Sequence, residues 1–468
     1  MSFAPSRENS ASSSILEHAA AEIAAALADL GSLVRIPGIA WPAFDQNALV
    51  RSAEAIAELA RGTGVFDEVS IKRAEIPGTN GELGQPAILA TRAARNGAPT
   101  ILLYAHHDVQ PPGDDALWQT PPFEPTVRDG RLYGRGAADD KAGVMTHIAA
   151  LRALRAAHGD DLDLGIALFV EGEEEFGSRS FAQFLADNRD ALRADVIVVA
   201  DSGNWDATTP ALTVSLRGNV KVHVRVRTLE HASHSGMFGG AVPDAMMAGI
   251  RLLSTLWDAD GAVAVAGLVE READTPEYTE ETLRSETGLL PGVSPIGGGS
   301  ILSRIWNKPS ITVTGVDFTT VSAASNTLSP EATFVVSARI APGQDATEAY
   351  EALRAHLESH APFGAEVTLS DVDLGNGFLV DTSGWAVAAV RQAFAEGYAK
   401  DPVDVGVGGS IPFIADLVRE FPDAQILVTG VEDPHSRAHS PNESLHIDTF
   451  RHAVASEALL LEAVNGRR

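Results

Sequence analysis

Residues 99–105 read Pro99-Thr100-Ile101-Leu102-Leu103-Tyr104-Ala105, and His106-His107-Asp108 follow at once. A short, continuously apolar run ending in a polar cluster is the pattern of a buried strand that opens into a site. Three more runs repeat the pattern. LGIALFV (164–170) leads into Glu171-Gly172-Glu173-Glu174-Glu175, DVIVVA (195–200) into Asp201, and QILVT (425–429) into a loop that holds His439. Ligands in open α/β sheets gather outside the carboxyl ends of the strands. Four strands therefore deliver acids or imidazoles to one sheet edge. Gly134-Arg135-Gly136-Ala137-Ala138-Asp139-Asp140-Lys141 adds two more carboxylates just before a helical pattern at 142–157.

Strands separated by helices predict an α/β fold, with a mixed, largely parallel sheet covered by helices. Helical patterns at 15–36 and 449–464 flank it, the second with Asp448 as its expected N-cap. The middle of the chain differs. KVHVRVR (221–227) alternates strictly, as a half-solvated strand does. A helix at 243–256, strands at 310–317 and 331–340, a helix at 346–359 and a strand at 365–370 follow. The order β-α-β-β-α-β is that of a ferredoxin-like α+β module. We place this inserted lid or dimerisation domain at 213–379, between catalytic parts at 15–212 and 380–468. The acidic stretch 270–287 and the turn Gly297-Gly298-Gly299 read as loop or insertion, and residues 1–14, rich in Ser, as a disordered N-terminus.

Composition narrows the function. The chain of 468 residues is 45% hydrophobic and carries 35 basic against 63 acidic residues, a formal charge of −28. That balance argues against nucleic-acid and anionic-membrane partners. With no cysteine, thiol catalysis, disulfides and zinc ribbons are excluded. The N-terminus lacks the apolar core of a signal peptide, and no apolar run reaches the ~20 residues of a membrane span. The expectation is a cytoplasmic protein.

Imidazole and carboxylate ligands without sulfur suit a pair of divalent cations, with Zn²⁺ expected first and Mn²⁺ or Co²⁺ compatible. Such a pair suits hydrolysis. Bland readings compete at each position. Asp139 and Asp140 could be an N-cap pair, Glu173 to Glu175 a solvated acidic turn, and His435 an alternative to His439. Lys141 reads as loop support, and His147 and His158 as structural or exposed. GVGGS (406–410) lacks the lysine and spacing of a P-loop.

At these residues the chain resembles the dinuclear metallopeptidase family that includes carnosine dipeptidases, carboxypeptidase G, aminoacylase and succinyl-diaminopimelate desuccinylase. HHDVQPPGDDALWQTPPFEPTVRDGRLYGRGAADDKAG (106–143) is similar to its dipeptidase branch. EGEEEFGS, SHSGMFGG, GGSIP and AHSPNE follow in the family's order. The resemblance implies that His106 and Asp201 hold one metal ion and Glu175 and His439 the other, with Asp139 bridging. Three carboxylates, two neutral imidazoles, two divalent cations and one hydroxide would then sum to zero charge. Asp108 would accept a hydrogen bond from His106, and Glu174 would be the general base. Arg339 and Thr327 would bind a substrate's terminal carboxylate, together with Gly409 and Ser410. His234 would donate to the oxyanion, reaching the partner's site in a homodimer. The implied activity is hydrolysis of dipeptides or short peptides with a free carboxylate. An N-acyl or N-carbamoyl amino acid amidohydrolase is the alternative, and a non-catalytic binding protein of the same fold a weaker one.

Overall fold

The computed structural model describes residues 7–408 and 412–467. The chain divides into two compact units, residues 1–213, 380–404 and 416–468 in one, and 214–379 with 405–415 in the other. The sequence reading assigns 405–415 to the catalytic part. Here that segment belongs with the second unit, because the strand Val403–Val407 and the helix Pro412–Glu420 carry the chain into it and back.

In the first unit the strands Gly165–Glu171, Thr100–His106, Val196–Val199 and Gln425–Val428 run parallel and adjacent, in that order. Antiparallel pairing extends the sheet on one side through Ala87–Arg92 and Glu68–Lys72, and on the other at Thr213. Nearly every residue of the parallel strands is buried, so both faces are covered, as the unbroken apolar runs require. The helices Arg7–Val34, Lys141–His158 and Ile447–Asn465 pack against one another, with Trp385–Gly397 beside the last.

Three local expectations are revised. The first helix starts at Arg7, so 7–14 are helical where a disordered start is read from the serines. Residues 1–6 lie outside the description. The C-terminal helix is capped by His446, whose side chain accepts from the Thr449 N–H, which leaves Asp448 inside the first turn. The stretch read as loop at 270–287 contains the helix Glu280–Thr287, capped by the Thr279 hydroxyl and ended by Gly288 at φ 67°. No residue of that helix is buried, so it carries no apolar stripe to read.

The second unit holds a four-stranded antiparallel sheet in the order Ser310–Asp317, Glu331–Ile340, Gly218–Arg227, Glu366–Gly375. With helices Ala245–Leu253 and Ala346–Ser359 between its strands, this is the ferredoxin-like arrangement. Val222, Val224 and Val226 turn into a core with Leu252, Leu353 and Leu357, and Lys221 and Arg225 face outward. No helix among the described residues is long and apolar enough to cross a membrane.

Candidate metal centre

Each parallel strand ends on a side chain of the site. His106 closes Thr100–His106, Glu174 and Glu175 lie in the turn after Gly165–Glu171, and Asp201 lies two residues past Val196–Val199. Asp139 immediately precedes Asp140 at the start of Lys141–His158, and His439 sits in the loop after Gln425–Val428. The Asp201 and His439 loops meet closely at Gly430, where an added Cβ would fall 1.6 Å from the Ser202 carbonyl oxygen. Only glycine permits that approach.

The ligand atoms form two clusters. His106, Glu174 and Asp201 make one, and Asp139, Glu175 and His439 the other, with the atoms of each within 4.8 Å of one another. Asp139 faces both. Its Oδ1 is 3.1 Å from His106 Nε2, and its Oδ2 is 3.0 Å from His439 Nε2. His439 Nε2 is also 3.1 Å from Glu175 Oε2. Asp201 Oδ1 and Glu174 Oε2 stand 3.8 and 4.0 Å from His106 Nε2. His439 is held at φ +60°, in the sparsely populated left-handed region, with its side chain 57% exposed. His435 instead lies in a turn, its N–H donated to Asp433, and joins neither cluster.

Supporting contacts fix these groups. His106 Nδ1 lies 3.1 Å from the Asp108 main-chain carbonyl oxygen, so it carries the proton and leaves the Nε2 lone pair for a ligand. The expected acceptor is the Asp108 carboxylate, but that lies at 3.5 Å from Nδ1 and has other partners. Its two oxygens accept from the main-chain N–H groups of Glu174 at 3.0 Å and Glu175 at 3.1 Å. Asp140 is not a side-chain cap. Its Oδ2 accepts from the His106 N–H. Glu173 points away and accepts from the N–H groups of Ser180 and Gln85. Lys141 Nζ donates to the carbonyls of Leu33 and Ile36, and burial pushes it down to about 7.

Three supports are missed by the sequence reading. Glu443, buried and paired with Arg135 at 2.6 Å, accepts from the main-chain N–H groups of Ala138 and Asp139. Gln110 Nε2 donates to Glu175 Oε2 at 2.6 Å. Glu443 ends the AHSPNE stretch, which was its one available signal. Gln110 gave none.

Electrostatics test whether cations fit. Burial, reinforced by the Asp201 charge, pushes Glu174 well above the usual carboxylate range. Burial with Asp139 nearby raises Glu175, and burial lifts Asp201 to about 7. Burial opposes protonation of His106, yet the acids of Asp108 and Asp139 hold it well above the ordinary imidazole value. His439 is raised to about 11 by Asp139 and Glu175. Acids crowded until they resist ionisation, and imidazoles driven to keep protons, describe a cluster short of positive charge. Divalent cations supply that charge, and the all-nitrogen-and-oxygen donor set suits them.

In the second unit, Ser233–His234 pairs with Thr327–Leu328, which places His234 directly across from Thr327. Both are exposed. The His234 Nδ1 accepts from the Gly236 N–H at 3.0 Å, so a neutral ring carries its proton on Nε2, free to donate. Arg339 lies on the Glu331–Ile340 strand opposite Asn219 and Ser310 and is partly buried. Gly409 and Ser410 lie outside the described residues.

The fold and site can be set beside known proteins. Residues 102–463 match the model of the peptidase family M20/M25/M40. The chain is 36% identical over 379 residues to a cysteinylglycine-S-conjugate dipeptidase of Corynebacterium striatum, covering 80% of this chain and 83% of that one. It is 26% identical over 423 residues to the beta-Ala-His dipeptidase of Rattus norvegicus, covering 86% and 84%. The structure of the Saccharomyces cerevisiae dipeptidase Dug1p shares its fold, with a TM-score of 0.75 at 22% identity over 97% of this chain and 99% of that one. Two clusters of nitrogen and oxygen ligands, joined through Asp139 at the carboxyl edge of such a sheet, agree with that match, and the chain belongs to peptidase family M20/M25/M40.

Proposed function

We propose that this chain is a metal-dependent dipeptidase, hydrolysing the amide bond of dipeptides that end in a free carboxylate. The observation that carries the reading is Asp139, which offers one oxygen to each ligand cluster while Glu174 stands beside the first. The names of the two relatives supply the substrate class. His106 and Asp201 would hold one cation, Glu175 and His439 the other, and Asp139 both. Zn²⁺ is the expected ion. Bound there, the cations would polarise the scissile carbonyl and acidify the attacking water.

The protein's own groups handle the proton. Glu174, whose raised proton affinity suits a general base, takes it from the water and delivers it to the leaving amine. Asp108 holds that turn in place through its two main-chain contacts. Arg339, Thr327, Gly409 and Ser410 bind the terminal carboxylate, and His234 donates Nε2–H to the oxyanion. We further propose a homodimer through the second unit, with His234 acting on the partner's site. Exposed Met237, Phe238, Ile250, Val316 and Val321 in that unit support a covered surface.

The test is a panel of dipeptides, tripeptides and N-acyl amino acids offered to protein of measured metal content, before and after chelation. Dipeptide turnover that chelation abolishes and added Zn²⁺ or Mn²⁺ restores is expected. Full activity in metal-free protein, or preference for acyl amino acids, would overturn the reading.

A further inference from the structure

Arg217 is the one residue between the strands Ala211–Leu216 and Gly218–Arg227, and it is 8% exposed. Its main-chain N–H donates to the Val407 carbonyl, and its Nε to the Gly408 carbonyl at 3.1 Å. Its Nη1 reaches the carbonyls of Arg304 and Lys308 and, at 3.0 Å, the Ser310 hydroxyl. None of these acceptors is a carboxylate. A buried guanidinium satisfied only by neutral oxygens keeps its full charge for something else. Burial, and then the charge of Arg339 beside it, pushes its pKa down to about 10, which places the two cations close together.

What Arg217 ties together is specific. Gly408 immediately precedes Gly409 and Ser410. Ser310 is the direct cross-strand partner of Arg339. One planar fork thus holds both the approach to the 409–410 turn and the neighbour of Arg339. Like charges that close repel unless an anion joins them.

We propose that Arg217 is a positioning residue for recognition of the substrate's terminal carboxylate, framing Arg339 and the 409–410 turn and adding a second positive charge. This rests on the dipeptidase reading, in which Arg339 receives that carboxylate. The guanidinium is required as well as the charge, because a lysine reaches one of the four acceptors at a time.

The test is steady-state kinetics on alanylalanine with metal-loaded Arg217→Met, Arg217→Lys, Arg339→Met and the Arg217→Met/Arg339→Met double variant. Arg217→Met should raise KM by ~10-fold or more, the scale of a lost charge-assisted contact, with kcat within about twofold. Arg217→Lys should recover part of that rise. The double variant should be no worse than Arg339→Met alone, because one residue works through the other. A fall in kcat at unchanged KM, or losses that multiply in the double variant, would overturn the proposal. Should Arg217→Met fail to fold, Ser310→Ala removes a single acceptor and should raise KM by roughly threefold at unchanged kcat, about one hydrogen bond's worth. An unchanged KM there would count against the proposal equally. An unaltered protein that turns over no dipeptide would instead overturn the function itself, so the two failures are distinct.

Discussion

Asp108 holds Glu174 by its backbone: one carboxylate oxygen of Asp108 accepts the Glu174 N–H at 3.0 Å, and the other accepts the Glu175 N–H at 3.1 Å. A side chain from one parallel strand end thereby fixes the turn at the end of the next. Replacing it disturbs the proposed base and a proposed ligand together. Asp108→Asn keeps one acceptor oxygen but turns an amide N–H₂ toward one of the two donors. Metal affinity and turnover should both fall by roughly 10–100-fold, the usual cost of losing such a support. Metal titration alongside kinetics checks it, and a variant with native affinity would refute it.

Glu174 and Glu175 are adjacent in sequence but belong to different clusters. Glu174→Gln should keep about two ions per chain while turnover drops by ~10²-fold or more. Glu175→Gln should lose metal as well as activity. Metal analysis after gel filtration separates the two, and the reverse pattern would reassign the roles.

His234 should matter without touching the metal. His234→Ala should lower turnover by ~10²–10³-fold at unchanged metal content, as other oxyanion donors do. In the proposed dimer, mixing His234→Ala with Glu174→Gln subunits should regenerate activity, since one site per heterodimer then has both groups. A fully active monomer, or no recovery after proven subunit exchange, would exclude the trans arrangement.

A buried ion pair away from the site sets a pH dependence of stability. His147 Nδ1 is 2.7 Å from Glu457 Oε1, and its Nε2 is 3.0 Å from the Tyr104 carbonyl oxygen, so both ring nitrogens face acceptors. Burial works against the charged ring, but Glu457 outweighs it and the folded pKa is raised. The stabilisation is therefore fully present below the unfolded value of ~6.5 and is lost as pH rises through the folded one. Glu457→Gln should destabilise by roughly 3–5 kcal/mol at pH 6, with the gap to the unaltered protein narrowing toward alkaline pH. Urea unfolding across that range measures it, and a pH-independent gap would contradict the assignment.

Much of this was readable before any coordinates. The runs at 99–105, 164–170, 195–200 and 425–429 announce buried strands because both faces are covered, and the polar residues after them fall at one edge for the same reason. The alternation of KVHVRVR is legible because one face is wet. What escaped depends on chain closure. Glu443 meets Asp139 across about three hundred residues, and Arg217 meets Gly408 across nearly two hundred, and no local period encodes either. The Asp108 carboxylate escaped for another reason. Its partners are main-chain N–H groups, which have no identity in a sequence.

Asp139 gives the site a collective property. Whatever occupies the His106 side orients the same carboxylate that the His439 side requires. The arrangement is one of linkage: an ion in either half, by ordering the shared group, strengthens retention of its neighbour, and reciprocity makes the two gains equal. Loading should then resemble a latch more than a pair of independent pockets, with half-filled protein scarce at every metal concentration.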